Sequence, residues 1–342
     1  MVVATALIAW LGAQLFVWLQ LPLPWLLGPL IFVAGCRMAG AALECPVALR
    51  ASGQWVIGVA LGLYFTPAVF AQMYALWWAI ALGLIWAWVI SLTFGWLLRR
   101  FGGLDPVTAF FSGAVGGASE MAIQAERQGA RVEMVAAVHS LRVLIVVVSL
   151  PFAYRWLGLH GVDASLLSVV PVDTMGLLAL VLLTVTGGFV LHGLRVPNAW
   201  MLGPLLVTVL LTAGELELSG LPAWIIQAGQ VFIGMALGSR FRQESMRQLR
   251  SMTGLVIVGS TGLILLSVGF AGVLAIGSGL SLATMVLATS PGGIAEMSLT
   301  AKILQLGVPV VTVFHVTRLA FMVMTVGPVF QWLARRNQWT GS

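Results

Sequence analysis

Charge is what this 342-residue sequence has least of. Lys, Arg, Asp and Glu make up 8% of it, against about a quarter in soluble globular proteins, while hydrophobic residues reach 60% and the mean hydropathy is +1.03. That deficit excludes an ordinary soluble enzyme or DNA-binding domain. Cysteine is nearly absent, and Cys36 and Cys45 form no Cys-x-x-Cys, so they are read as inert thiols rather than as ligands or a disulfide. Histidine occurs four times, with no pair spaced to share one helix face. Copper or iron oxygen chemistry, which needs converging His and carboxylate ligands, is therefore not expected, and neither a metal nor an organic cofactor is. Lysine occurs once, at Lys302; the other 16 basic residues are Arg. They stand singly or in small groups between apolar runs, so the net charge of +6 reads as membrane orientation rather than nucleic-acid binding.

Apolar runs fill the chain instead, and crossing a bilayer takes about 20 residues each. Spans are expected near 2–19, 24–42, 53–72, 75–98 and 133–154, and again near 174–194, 198–214, 224–239, 252–276 and 308–333. The first run lacks a basic leader and a small-residue cleavage site and is read as a retained span. Two segments remain, 105–127 and 281–303, each an apolar arm, a glycine break and a more polar arm.

The polar residues repeat. Gly116-Gly117-Ala118-Ser119-Glu120-Met121 returns as Gly292-Gly293-Ile294-Ala295-Glu296-Met297, an offset of 176. Gly53-Gln54 through Gly62 matches Gly229-Gln230 through Gly238, His139 and Arg142 fall on His315 and Arg318, and Trp25, Gly28 and Pro29 match Trp200, Gly203 and Pro204. The chain is a duplicated unit, with repeats over 1–158 and 172–335.

Positive charge belongs on the cytoplasmic side. If both broken segments are re-entrant and the N-terminus is cytoplasmic, Arg50, Arg99, Arg100, Arg127, Arg131, Arg195, Arg240, Arg242, Arg247, Arg250, Arg335 and Arg336 all lie inside, with Arg37 within snorkelling reach. Arg155 and Lys302 fall outside with Asp163, Asp173, Glu215 and Glu217. Full crossings would move the four arginines of 240–250 outside. The sequence thus predicts an all-α polytopic protein of two inverted-topology repeats. Each has five transmembrane helices and one re-entrant hairpin, and both termini are cytoplasmic. Inverted repeats with broken helices are the architecture of secondary transporters.

Within the hairpins, the glycine breaks at Gly116, Gly117, Gly292 and Gly293 let two half-helices meet. The second half-helix begins near Ser119 or Ala295, which puts Glu120 and Glu296 in its first turn. A carboxylate there either satisfies the helix end or binds a coupling cation or proton. Arg142 and Arg318 lie about ten residues into their spans and need partners at that depth; Glu120 and Glu296 are the candidates. The pairs would be structural locks, or the arginines would grip a substrate oxyanion. His139 and His315 share each Arg's helix face, as proton relay or supporting partner.

The Trp-x-Leu-Gly-Pro, Gly-Gln-x-x-Ile-Gly-x-Ala-Leu-Gly and Gly-Gly-x-x-Glu-Met segments resemble the duplicated AbrB-type membrane protein family, which also carries an ammonia monooxygenase label. The resemblance covers both repeats. It implies a bacterial inner-membrane location and a role in regulating gene expression; the four histidines argue against the oxygenase label. The residues favour a secondary transporter of a small solute, an organic anion being the candidate chemistry, coupled to H⁺ or Na⁺. A membrane-embedded regulator acting indirectly on transcription is the alternative, and an enzyme is not expected. The expected partners are the lipid bilayer and a small solute or ion, without direct nucleic-acid binding. Analogy with inverted-repeat transporters adds a homodimer.

Overall fold

The computed structural model describes residues 1–161 and 171–337, so Asp163 lies outside the described residues. All regular elements among them are helices. The first eight are α1 (Val2–Trp18), α2 (Pro24–Met38), α3 (Val47–Gly62), α4 (Pro67–Ala75), α5 (Trp77–Gly102), α6 (Pro106–Gly113), α7 (Ala118–Arg127) and α8 (Val132–Trp156). The second eight are α9 (Thr174–Gly193), α10 (Ala199–Ala213), α11 (Ala223–Gly238), α12 (Gln243–Leu249), α13 (Thr253–Ser278), α14 (Leu282–Thr289), α15 (Ile294–Ile303) and α16 (Val308–Asn337). From α3 to α8 every start recurs 176 residues later, so the duplication seen in the polar residues is a duplication of helices.

Local signals recur with it. Asp105 caps α6 by accepting from the Thr108 amide (2.8 Å), and Ser281 caps α14 from Thr284 (3.1 Å). α5 ends at Gly103 (φ +64°) and α13 at Gly279 (φ +70°), the left-handed stop that glycine adopts without strain.

Among the described residues five helices are long and apolar enough to cross a membrane: α5, α8, α9, α13 and α16. The run expected as one span over 53–72 is broken. α3 and α4 form a pair bent by 87°, because Pro67 lacks an N–H and disfavours helix at Thr66 before it. Part of the arginine-rich stretch expected as a loop at 240–250 is helical, as α12. α1, α2, α10 and α11 are apolar but only 15–17 residues long, short of the ~20 a perpendicular crossing takes. α9 presents Met175, Leu178, Leu182, Leu183, Phe189 and Val190 outward, an apolar surface suited to lipid rather than water.

The chain divides into two units, and each draws on both sequence halves. The first comprises 1–75, 151–242 and 295–310. In it α1 meets α2 where Gly12 faces Gly28, α9 meets α10 where Gly187 faces Gly203, and α3 meets α11 where Gly53 faces Gly229. Trp55 donates to the Thr184 hydroxyl (3.1 Å), and Gln54 to the Asn198 side-chain oxygen (3.2 Å).

The second unit comprises 76–150, 243–294 and 311–342. Here the equivalent helices α5 and α13 run antiparallel: Trp78 near the start of one packs at Gly277 near the end of the other, Gly102 packs on Met252, and Trp86 stacks on Phe270 at 4.5 Å. α6 folds back along α5, with Gly95 against the Ala109 carbonyl and Gly113 against the backbone of Gly95 and Ser91. The Ser91 hydroxyl accepts from the Val115 amide at 2.9 Å, so the break after α6 is level with the middle of α5. The Arg131 amide then donates to Thr108 Oγ1 (3.0 Å), and its guanidinium reaches Asp105 at 3.4 Å. The segment 105–131 therefore enters and leaves at the same end of α8.

Candidate functional site

The break between α6 and α7 leaves the last carbonyls of α6 without helical partners, and a helix end carries partial negative charge. Both needs are met by Arg142 on α8. Its Nη1 donates to the Ser112 and Gly113 carbonyls (3.4 and 3.1 Å) and its Nη2 to Ala114 (3.0 Å) and to His139 Nδ1 (3.1 Å). The Phe94 ring lies 5.7 Å from the guanidinium carbon, adding a cation–π contact. The second repeat reproduces the arrangement. Arg318 on α16 donates through Nη1 to the Ser290 carbonyl (2.8 Å) and through Nη2 to the Gly292 carbonyl and to His315 Nδ1 (2.8 Å).

Hydrogen bonding fixes the state of each histidine. His139 Nε2 lies 2.9 Å from the Phe111 carbonyl, and His315 Nε2 lies 2.9 Å from that of Leu287. A carbonyl only accepts, so Nε2 carries the proton; a guanidinium only donates, so Nδ1 must offer its lone pair. Both rings are neutral and each orients its arginine. α8 and α16 are the most enclosed of the five long apolar helices, with 61% and 50% of the span inside the protein against 17–33% for the others.

The carboxylates stand apart from this network. The ion pairs expected from the sequence, Glu120 with Arg142 and Glu296 with Arg318, are not the ones formed. The carbonyls of the broken helix take the guanidiniums instead, since a helix end brings several acceptors to one fork. Only Nε of each arginine is left, buried and without a partner. A salt bridge among the described residues joins Arg131 to Asp105 instead.

Glu120 is the third residue of α7, half-buried, with its carboxylate against Gly117, the residue that precedes the helix. A Cβ at Gly117 would collide with that carboxylate, and one at Gly116 would come within 2.8 Å of the Met121 methyl, which explains the spacing of the glycine motif. Ser119 sits between them, partly buried. Gly292 supplies a carbonyl to Arg318, and Gly293 directly precedes α15. Glu296, third in α15, belongs to the first unit and is buried at 7% exposure. Sequence reasoning missed Phe94 and Ser91, although both recur at the 176-residue offset, as Phe270 and Ser267, and that recurrence was the signal that could have found them.

The helices and this doubled arrangement define a helical protein of membrane type, built by duplication. A family model described as "Transition state regulatory protein AbrB" matches residues 25–334, and the chain belongs to that family. It is 30% identical over 302 residues to "Uncharacterized protein YhjN" of Bacillus subtilis, covering 83% of this chain and 78% of that protein. It is 29% identical over 317 residues to "Putative regulator AbrB" of Escherichia coli, covering 92% and 90%. No solved structure matches the chain.

Proposed function

We propose that the chain is a secondary transporter of a small solute, built as two inverted repeats with opposed re-entrant hairpins and coupled to H⁺ or Na⁺. The observation that carries this reading is the doubled tip: a helix broken level with mid-span, one end held by a buried arginine, the other bearing a carboxylate in its first turn. Broken half-helices with charged groups at depth are how a membrane protein builds an ion or solute site. The antiparallel packing of α5 on α13 supports the inversion, and the return of 105–131 to its point of entry supports re-entrance. Glu120 and Glu296 are the residues assigned to the coupling ion. The regulator label borne by the family and by the Escherichia coli relative fits the same reading if transport changes the level of an inducer.

Two measurements test this. Both cysteines are free, so single cysteines at Gln128 and Lys302 in a Cys36/Cys45-free background report topology. Gln128 is expected to label from the cytoplasm and Lys302 from outside; labelling of Gln128 from outside refutes the inverted arrangement. Purified protein in proteoliposomes on a solid-supported membrane is then presented with a panel of mono-, di- and tricarboxylates under Na⁺ or H⁺ steps. A solute-dependent current is expected, lost in Glu120→Gln and Glu296→Gln. Currents that persist in both variants refute the assigned roles, and silence across the panel refutes carboxylate transport.

A further inference from the structure

In broken-helix transporters a mobile cation binds at unwound carbonyls and at the C-terminal ends of half-helices. In both repeats of this chain those acceptors are already taken. Ser112, Gly113 and Ala114 accept from Arg142, and Ser290 and Gly292 accept from Arg318. The neutral histidines hold both forks in place, with His139 and His315 each tied to a carbonyl of the same half-helix. Arg142 is 1% and Arg318 8% exposed. An alkali ion needs oxygens that replace its water shell; here each such oxygen faces an N–H donor, and a fixed positive charge stands among them.

We propose that Arg142 and Arg318 are tethered cations occupying the two helix-end seats that an alkali cation would otherwise take, so that transport runs independently of Na⁺. The second half rests on the transporter reading; the first does not. The full chain in lipid nanodiscs is unfolded by heat in sodium chloride and in choline chloride at equal ionic strength, and Arg318→Ala is unfolded with and without millimolar guanidinium.

The wild-type midpoint is expected to be unchanged by the exchange of Na⁺ for choline. That of Arg318→Ala is lowered, and guanidinium restores part of the loss without affecting wild type. A saturable rise of the wild-type midpoint with Na⁺ overturns the proposal, as does a folded Arg318→Ala that guanidinium does not restore. Should the alanine variant fail to fold, Arg318→Lys serves: its single nitrogen cannot span the Ser290 and Gly292 carbonyls and His315, so its midpoint falls, and a midpoint equal to wild type overturns the seat. The carboxylate giving the largest current in proteoliposomes separates the two halves. Current under an H⁺ step alone supports both, current requiring Na⁺ overturns the inference while transport stands, and absence of any current fails carboxylate transport while the thermal result still decides the seat.

Discussion

Arg142→Met is expected to destabilise the protein by about 3–5 kcal/mol, the cost of removing one partner from a buried charged contact. The substitution nearly conserves length and apolar packing, so the loss comes from what the guanidinium leaves behind. The Ser112, Gly113 and Ala114 carbonyls and His139 Nδ1 lose their donor at a place water does not reach. Each buried acceptor left unsatisfied costs about 1–3 kcal/mol, and the relief of no longer burying a cation offsets only part of the sum. Arg142→Lys keeps the charge but not the fork and is expected to fall between. His139→Phe should cost less than either, because it loosens the arginine without emptying its place. Thermal or denaturant unfolding in nanodiscs measures the series, and an Arg142→Met protein within about 1 kcal/mol of wild type would falsify the helix-end role.

The order of that series could not have been written from the sequence, and the reason is physical. In a bilayer-soluble chain apolar letters carry little information, so the rare polar ones stand out; a fixed offset of 176 between His139-Arg142 and His315-Arg318 was enough to locate the tips. The same holds for the glycine breaks, which the structure places at 114–117 and 290–293 between half-helices. The arginines' partners are backbone carbonyls, which have no letter. A break frees carbonyls whatever residues surround it, so the sequence suggested the acidic side chains doubled at the same offset, Glu120 and Glu296. A mid-span Arg facing a glycine break is a signal for a helix-end contact, and it was present twice. Pro67 was likewise a visible stop inside the run 53–72, outweighed there by hydropathy. Nothing in the sequence halves foretold that each compact unit would be assembled from both repeats, because the pattern of one repeat does not say which helices of the other it packs against.

Gly28→Ala is expected to separate α2 from α1, and its counterpart Gly203→Ala to separate α10 from α9, each at a cost of about 1–3 kcal/mol or more. Small residues at helix contacts matter in membranes because apolar side chains gain little from leaving lipid, so close backbone approach supplies the association. A Cβ at Gly28 would meet the Gly12 carbonyl carbon at 2.6 Å and the Ala13 nitrogen at 2.7 Å; at Gly203 it would meet Gly187 and Gly188 at the same distances. All four obstacles are backbone, which cannot rotate aside as a side chain would, so the helices themselves must shift. Gly35 in the same helix α2 is the control, since an added Cβ there meets nothing within 4 Å. Gly35→Ala should be neutral or stabilise by up to about 1 kcal/mol, through the helix preference of alanine. Tryptophan-monitored unfolding of the three variants decides the matter: two lowered midpoints beside an unchanged or raised one support close packing at the paired glycines. Gly28→Ala behaving like Gly35→Ala means that α1 and α2 are held by something other than this contact.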